Sequence, residues 1–259
     1  MNVQKYLILL LSLMFLSSAN AQTGARPGSQ ADNTPPQQVL GGTDEGFEDI
    51  AALLAGDWES INTSDDPAND WFQGNPVSTM GPFDAQAGPA DSYAAANFAS
   101  TNGSLISNWL LVPDVGALDS ATFWTRTSTG NIFPDRMQVR FSSVGGSDVG
   151  TDFNTVGDYT NLLLDINDTL ATGGYPDTWT EFTVNPGSAG RLAFRYFVDD
   201  AGPTGTNSNF IGVDTLSLVL GDPDVLPPPP AVPTLGLFGL LALALVLALG
   251  TVLVLRRKA

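Results

Sequence analysis

Between Asp44 and Leu220 the chain is cut into short segments that alternate apolar and polar residues, with glycine, proline and asparagine at the cuts. In Asp135–Ser142, Met137, Val139 and Phe141 fall on one side, and Arg136, Gln138 and Arg140 on the other. In Arg191–Val198, Leu192, Phe194 and Tyr196 share a face opposite Arg191, Ala193 and Arg195, with Phe197 breaking the polarity. A period of two is the signature of a half-buried strand, because successive side chains leave a strand on opposite sides. Ala121–Thr127 and Trp179–Val184 are rich in β-branched and aromatic residues, and Asn108–Val112 and Phe210–Leu218 look like more deeply buried strands. Gly145-Gly146, Gly173-Gly174 and Asn102-Gly103 are turn signals between them. A helix is expected only near Ile50–Ala55. Many short strands in one stretch of 177 residues, which holds all five tryptophans, predict an all-β sandwich or jelly roll with a real core.

Charge and composition narrow what such a domain can do. All 27 acids lie between Asp32 and Asp224, where the only cations are Arg126, Arg136, Arg140, Arg191 and Arg195; that stretch carries a net −22, against −17 for the whole chain of 259 residues. Nucleic acid is an unsuitable partner for such a surface. The chain has no His and no Cys, so it lacks a Ser-His-Asp or Cys-His unit, a disulfide framework and a Cys/His zinc site. Self-repulsion of this size opposes compaction, and hard divalent cations, which take oxygen ligands, would relieve it.

The ends read as targeting segments. Residues 1–21 have a cation at Lys5, an apolar run from Tyr6 to Leu16 and a small-x-small site at Ala19-Asn20-Ala21, the pattern of a secretory signal peptide. Residues 22–43 are polar and read as a flexible lead-in. At the other end, 221–234 is a proline-rich linker with four consecutive prolines, a stiff spacer. Leu235–Leu255 is uncharged and long enough for one C-terminal transmembrane helix, and Arg256-Arg257-Lys258 in the last segment, 256–259, would hold that end in the cytoplasm. The expected topology is an exported body outside the cytoplasm, tethered to the membrane through 235–255.

Two resemblances go beyond pattern. Val232-Pro233-Thr234-Leu235, a glycine-punctuated span and a basic cluster resemble the C-terminal sorting tails of Gram-negative bacteria, of the type named for an Ile-Pro-Thr-Leu start, with Val232 in place of the Ile. That resemblance implies a membrane sorting protease as partner and delivery to the cell surface. In the body, Gly46-Phe47-Glu48, Trp58, Ser64–Phe72, Asp91-Ser92-Tyr93-Ala94, Ser107–Pro113, Thr122-Phe123-Trp124 and Ile211–Leu216 occur in an order that resembles the choice-of-anchor J domains, which are similar to cleaved-adhesin and MAM-type jelly rolls.

The second resemblance implies structural calcium on Glu48, Asp70, Asp91 and Asp214. Glu48 and Asp214 also sit among apolar neighbours, where a lone carboxylate is costly unless paired or metal-bound. Asp65 and Asp66 read either as a solvated turn or as further ligands, and Asp165–Asp168 as a loose calcium-loop pattern without the glycine or distal Glu of an EF-hand. The function expected is a non-enzymatic surface module for adhesion or extracellular-matrix interaction, with surface polysaccharide or protein as partner. A Trp-plus-Arg platform follows if Trp124 and Arg126 share a face with Arg140 and Arg195. The alternative is a secreted glycosidase or lyase, which needs only two carboxylates facing each other across a cleft.

Overall fold

The computed structural model describes residues 40–221. The signal peptide, the linker and the expected span at 235–255 lie outside the described residues. Among those described, no helix is long and apolar enough to cross a membrane.

The described chain is a β-sandwich of twelve strands. They are β1 (Leu40–Glu45), β2 (Glu59–Asn62), β3 (Phe72–Gln73), β4 (Ala94–Asn97), β5 (Ile106–Leu111), β6 (Ala117–Thr127), β7 (Met137–Ser142), β8 (Asn161–Ile166), β9 (Thr180–Val184), β10 (Ser188–Ala189), β11 (Arg191–Val198) and β12 (Phe210–Leu220). Five of them form one antiparallel sheet in the order β2-β5-β11-β7-β8. In the other sheet β12 lies against β6, and β6 carries β9 and β10 along its outer edge. On its far side β12 pairs with β4 through its first half and with β1 through its second, and β3 follows β4. Strand β1 begins at Leu40, inside the stretch read from composition as lead-in. Pairing with Leu216–Leu220 of β12 supplies the hydrogen bonds that a Gly-Gly segment of low strand propensity would not organise alone.

The single helix, α1, covers Ile50–Ala55, as expected from the sequence. The Asp49 side chain accepts from the Ala52 N–H at 2.9 Å and caps its N-terminus, and Gly56 ends it. Ile50 is its buried residue, and next to it Phe47 meets Trp58 edge to face at 5.4 Å.

The core lies between the sheets. Met137, Val139 and Phe141 of β7 and Leu192, Phe194 and Tyr196 of β11 all face into it, so the alternation read in these strands fixed their orientation. Phe123 of β6 meets Phe194 at 4.9 Å with the rings at 72°, an edge-to-face contact across the interface. Each such ring taken out of water contributes about 1.5–3 kcal/mol.

Strand β12 carries the main irregularity. Ile211 and Val213 reach the core, and so do Leu216 and Leu218, although a regular strand could not point both pairs the same way. A β-bulge between Asp214 and Ser217, with Thr215 at φ +50°, inserts the extra residue that restores the phase. The bulge also leaves Asp214 on the outer side of the sheet, under the β3–β4 loop.

Candidate functional site

Asp214 is the best-buried of the residues expected to ligate calcium, with 0% of its surface exposed. Its Oδ2 accepts from the main-chain N–H of Gln86 (2.7 Å) and Ala87 (3.2 Å), and its Oδ1 from that of Thr215 (2.6 Å). The Thr215 hydroxyl donates to Gln86 Oε1 at 2.7 Å, which fixes the loop over the bulge. The carboxylate thus takes three main-chain donors, and desolvation still holds its pKa above the usual carboxylate range.

Glu48 and Asp91 come to the same region. Gln73 of β3 ties them together: its Nε2 donates to the carbonyls of Phe47 (2.8 Å) and Asp91 (2.6 Å), and its Oε1 accepts from the Ile50 N–H (2.9 Å). Glu48 is exposed and reaches toward the loop; a methyl group on Gly88 would lie 3.8 Å from its Oε1. Glu45 lies beside it, and burial first, with the charge of Glu48 adding, raises the Glu45 pKa. Among the described residues the ion pairs are Arg136–Asp165 and Arg191–Glu59, both 2.6 Å, and neither touches this edge.

Asp70 is elsewhere. Phe72 pairs with Ala95 and Gln73 with Ala94, so Asp70 lies near Asn97, at the far end of the β3–β4 ladder from Asp91. Burial raises its pKa there. The structure brings together Glu48, the Asp91 main chain and Asp214, and leaves Asp70 out. Among the described residues no three carboxylates converge closely enough to hold a metal by themselves, so an ion at this edge would need main-chain oxygens of the β3–β4 loop to complete its shell.

The other acidic loops have structural partners. Asp65 accepts from the N–H groups of Asp66, Ser104 and Leu105 and from the Thr101 hydroxyl, so it staples two loops. Burial pushes its pKa up, but these bonds outweigh it and hold the carboxyl below its ordinary range. Asp165 takes a two-pronged bond from Arg136 (2.8 and 2.6 Å) and one from Gln138.

The condition for a Trp-plus-Arg platform, one shared face, is not met. Trp124 and Arg126 are on β6, whereas Arg140 and Arg195 are on β7 and β11 of the opposite sheet. All four point away from the core, so the two pairs lie on opposite outer surfaces of the sandwich. Local alternation gave each residue its face but carried no information about which strands share a sheet.

A different platform exists on the β11 side. Arg195 pairs in register with Trp109 and Gln138, and its guanidinium lies 4.5 Å from the Trp109 ring centre and 3.9 Å from that of Phe197. It is 1% exposed, because the β7–β8 loop folds over it. Phe153 of that loop stacks on Phe197 at 4.6 Å, and the carbonyls of Phe153 and Thr155 accept from Arg195, as does the Ser107 hydroxyl. With no carboxylate in contact, burial and then the neighbouring Arg140 and Arg136 pull its pKa down to about 9.

The outer face of the β6–β12 sheet is covered in the same way by the β3–β4 loop, which lays Phe83 and Tyr93 beside Trp179 and Phe210. Arg126 lies 4.5 Å above Phe83. A Cβ at Gly212 would sit 2.9 Å from each of Phe83, Tyr93 and Trp179, so glycine is required there for the rings to close on the sheet.

Sequence reading missed Asp135. It is 0% exposed and accepts from four donors: the hydroxyls of Tyr196 and Thr127 (both 2.5 Å), the Asn131 amide (2.8 Å) and the Asn209 N–H (2.7 Å). Burial raises its pKa in spite of those bonds. Thr127 and Asn131 are near it in the chain, but its burial depends on Tyr196 and Asn209, which are 61 and 74 residues away.

The fold and these loop-covered faces define an all-β sandwich of two antiparallel sheets. No protein-family model matches the chain, and no curated protein matches it in sequence. Solved structures do. The K2 cleaved-adhesin domain of Lys-gingipain has a TM-score of 0.50 at 17% identity, covering 70% of this chain and 100% of that one. The K1 domain of Lys-gingipain from Porphyromonas gingivalis gives 0.49 at 21%, covering 70% and 99%. A carbohydrate-binding module described as recognising mannan gives 0.39 at 10%, covering 70% and 96%. At these identities the K2 likeness shows the shared fold. It agrees with the cleaved-adhesin resemblance read from the sequence, while the choice-of-anchor J motifs and the sorting tail have no family match beside them.

Proposed function

We propose that the chain is an exported, surface-anchored, non-enzymatic β-sandwich that mediates adhesion or extracellular-matrix contact and is stabilised by calcium. The observation that carries this reading is the closure of the sandwich. Its interior is filled, and loops bearing aromatic side chains cover both outer faces, where they close over arginines of the strands beneath. A glycosidase needs two carboxylates facing each other across an open cleft. The most buried carboxylates, Asp135 and Asp214, instead accept four and three hydrogen bonds from their own chain. The lack of His and Cys and the fold shared with K2 support the same reading.

Calcium fits the carboxylate edge in chemistry. Glu48 and Asp214, with main-chain oxygens near Asp91, supply hard oxygen donors in a region of uncompensated negative charge. The ion would tie β1, the β3–β4 loop and β12 together. Export by residues 1–21 and anchoring through 232–259 complete the reading, with the sorting protease and the membrane as partners of that tail.

The test is attachment. Cells displaying the chain should adhere to surface polysaccharide or matrix protein, and deletion of 232–259 should release the protein from the cells. Display without attachment to any such surface removes the adhesion reading, and a truncated form that stays bound removes the anchoring role.

A further inference from the structure

One end of the sandwich holds a cavity of about 480 Å³, within the range of small-molecule sites, between the β6–β7 loop and the β8–β9 loop. Both walls are braced by side-chain amides. Asn131 donates to the Phe133 carbonyl (2.6 Å) and Thr127 Oγ1 (3.0 Å) and accepts from the Phe133 N–H (2.9 Å) and Asn209 (2.8 Å). Asn167 donates to the carbonyls of Asp135 (2.8 Å) and Ala171 (3.0 Å) and accepts from the Ala171 N–H (2.9 Å). Arg126 and Thr129 hold the rim through the Asp177 carbonyl (2.5 and 3.2 Å). A cavity whose walls are fixed without a ligand does not spend binding energy on ordering them.

The lining limits what can enter. Ile132, 70% exposed, and Pro176 give apolar wall, while Thr172 and Asp177 bring a hydroxyl and a carboxylate; Tyr175 turns its own hydroxyl inward to Thr125 at 2.7 Å. No lysine or arginine lines the cavity, and the Asp177 carboxylate does, so an anion is repelled; Asp135 lies behind the wall with its oxygens already bonded. A purely apolar ligand would strip water from the hydroxyl and carboxylate without replacing it. A pyranose answers both demands, with C–H faces for Ile132 and Pro176 and hydroxyls that donate to a carboxylate. Phe133, 43% exposed, adds apolar surface on the same loop for the next sugar unit.

We propose that this loop-end cavity is a binding site for the end of a neutral glycan. The proposal deepens the adhesion reading and rests on it. The experiment is calorimetric titration of the full chain with neutral gluco-, manno-, xylo- and galacto-oligosaccharides, with oligogalacturonate and an arginine-rich peptide as contrasts. At least one neutral oligosaccharide should bind. Thr172→Trp, which fills the cavity, should weaken it about tenfold or more, and Ile132→Ser several-fold, on the scale of one apolar contact. Ala68→Trp, at the separate cavity beside Asp70, should leave affinity unchanged.

Sugar binding that is indifferent to both Thr172→Trp and Ile132→Ser overturns the site but leaves the adhesion reading standing. Binding of oligogalacturonate or the peptide in preference to every neutral sugar overturns the ligand class. Absence of binding to any probe overturns the glycan site, and the attachment assay then decides the adhesion reading separately.

Discussion

The two outer faces of the sandwich are closed by the same device around different buried charges. On the β6–β12 face the β3–β4 loop lays an aromatic layer over one arginine, Arg126, and the carboxylates Glu48 and Asp214 gather at its edge. On the β5–β11–β7 face the β7–β8 loop covers Trp109, Phe197 and Arg195 and bonds to Arg140 and Arg191, while Arg136 lies beside them on the Phe197 ring. Among the described residues, Asp165 and Glu59 form the ion pairs of that set. The two faces therefore bury different charges. One carries four of the five arginines of the acidic body, two of them buried, and the other meets the burial of a carboxylate with main-chain N–H groups. Rings stacked on guanidinium serve both faces, whereas the proposed divalent ion would act on the carboxylate side alone.

The largest expected effect is at Arg195. Replacement by Ala leaves two carbonyls and a hydroxyl without their donor and two rings without their filling, so urea denaturation should show a loss of about 3–4 kcal/mol. Arg126→Ala on the other face should cost about half of that, because Arg126 is only partly buried. Equal losses would break the comparison.

Gly212→Ala comes next, at about 1–3 kcal/mol, since its Cβ would press on three rings at once. A loss below 0.5 kcal/mol, roughly the surface-substitution scale, would mean that the aromatic layer yields freely.

Chelation should then lower the melting temperature by a few degrees, on the scale of about 1 kcal/mol for a domain of this size. Asp214→Ala should reproduce much of that loss and abolish further sensitivity to chelator, whereas Arg195→Ala should keep it. An unchanged melting curve with chelator would remove calcium from the carboxylate edge.

The smallest effect, measured in chelator, is the pH dependence, and its sign should differ between faces. Asp214 has a raised folded pKa, so its buried charge disfavours folding above that value. Stability gained from its protonation appears as pH falls through the raised pKa toward the ordinary value near 4. Glu59 has a lowered pKa, held down first by Ser147 and also by Arg191; its contribution is present above the ordinary value and is lost as pH falls through the lowered one. Asp214→Asn should flatten the first trend and Glu59→Gln the second, in stability curves between roughly pH 3 and pH 7. The same slope in both variants would show that neither group governs its face.

Much of this frame was legible beforehand. The alternation in Asp135–Ser142 and Arg191–Val198 gave the inward sides of β7 and β11, and the Ile50–Ala55 helix lies where its sequence placed it. The burial of Arg191 and Arg195 was not legible, because a polar residue on a strand's outer face reads as solvated until a distant loop covers it. Whether Trp124 shares a face with Arg140 and Arg195 was not legible for a related reason: sheet partnership is set by contacts far apart in sequence. At the carboxylate edge Asp214 was visible from its apolar neighbours, but its solution, three N–H groups across a bulge, depends on where residues 86–87 land. Asp70 followed from order in the chain, and that order says nothing about which end of a short ladder a residue occupies.

The placement of β12 has a mechanical consequence. Its last residues, Leu216–Leu220, are hydrogen-bonded to β1 on one side and to β6 on the other. Tension applied beyond Gly221 along the strand axis must slide two ladders at once and cannot peel a single row bond by bond. A tether that leaves the body there meets it at a seam loaded in shear.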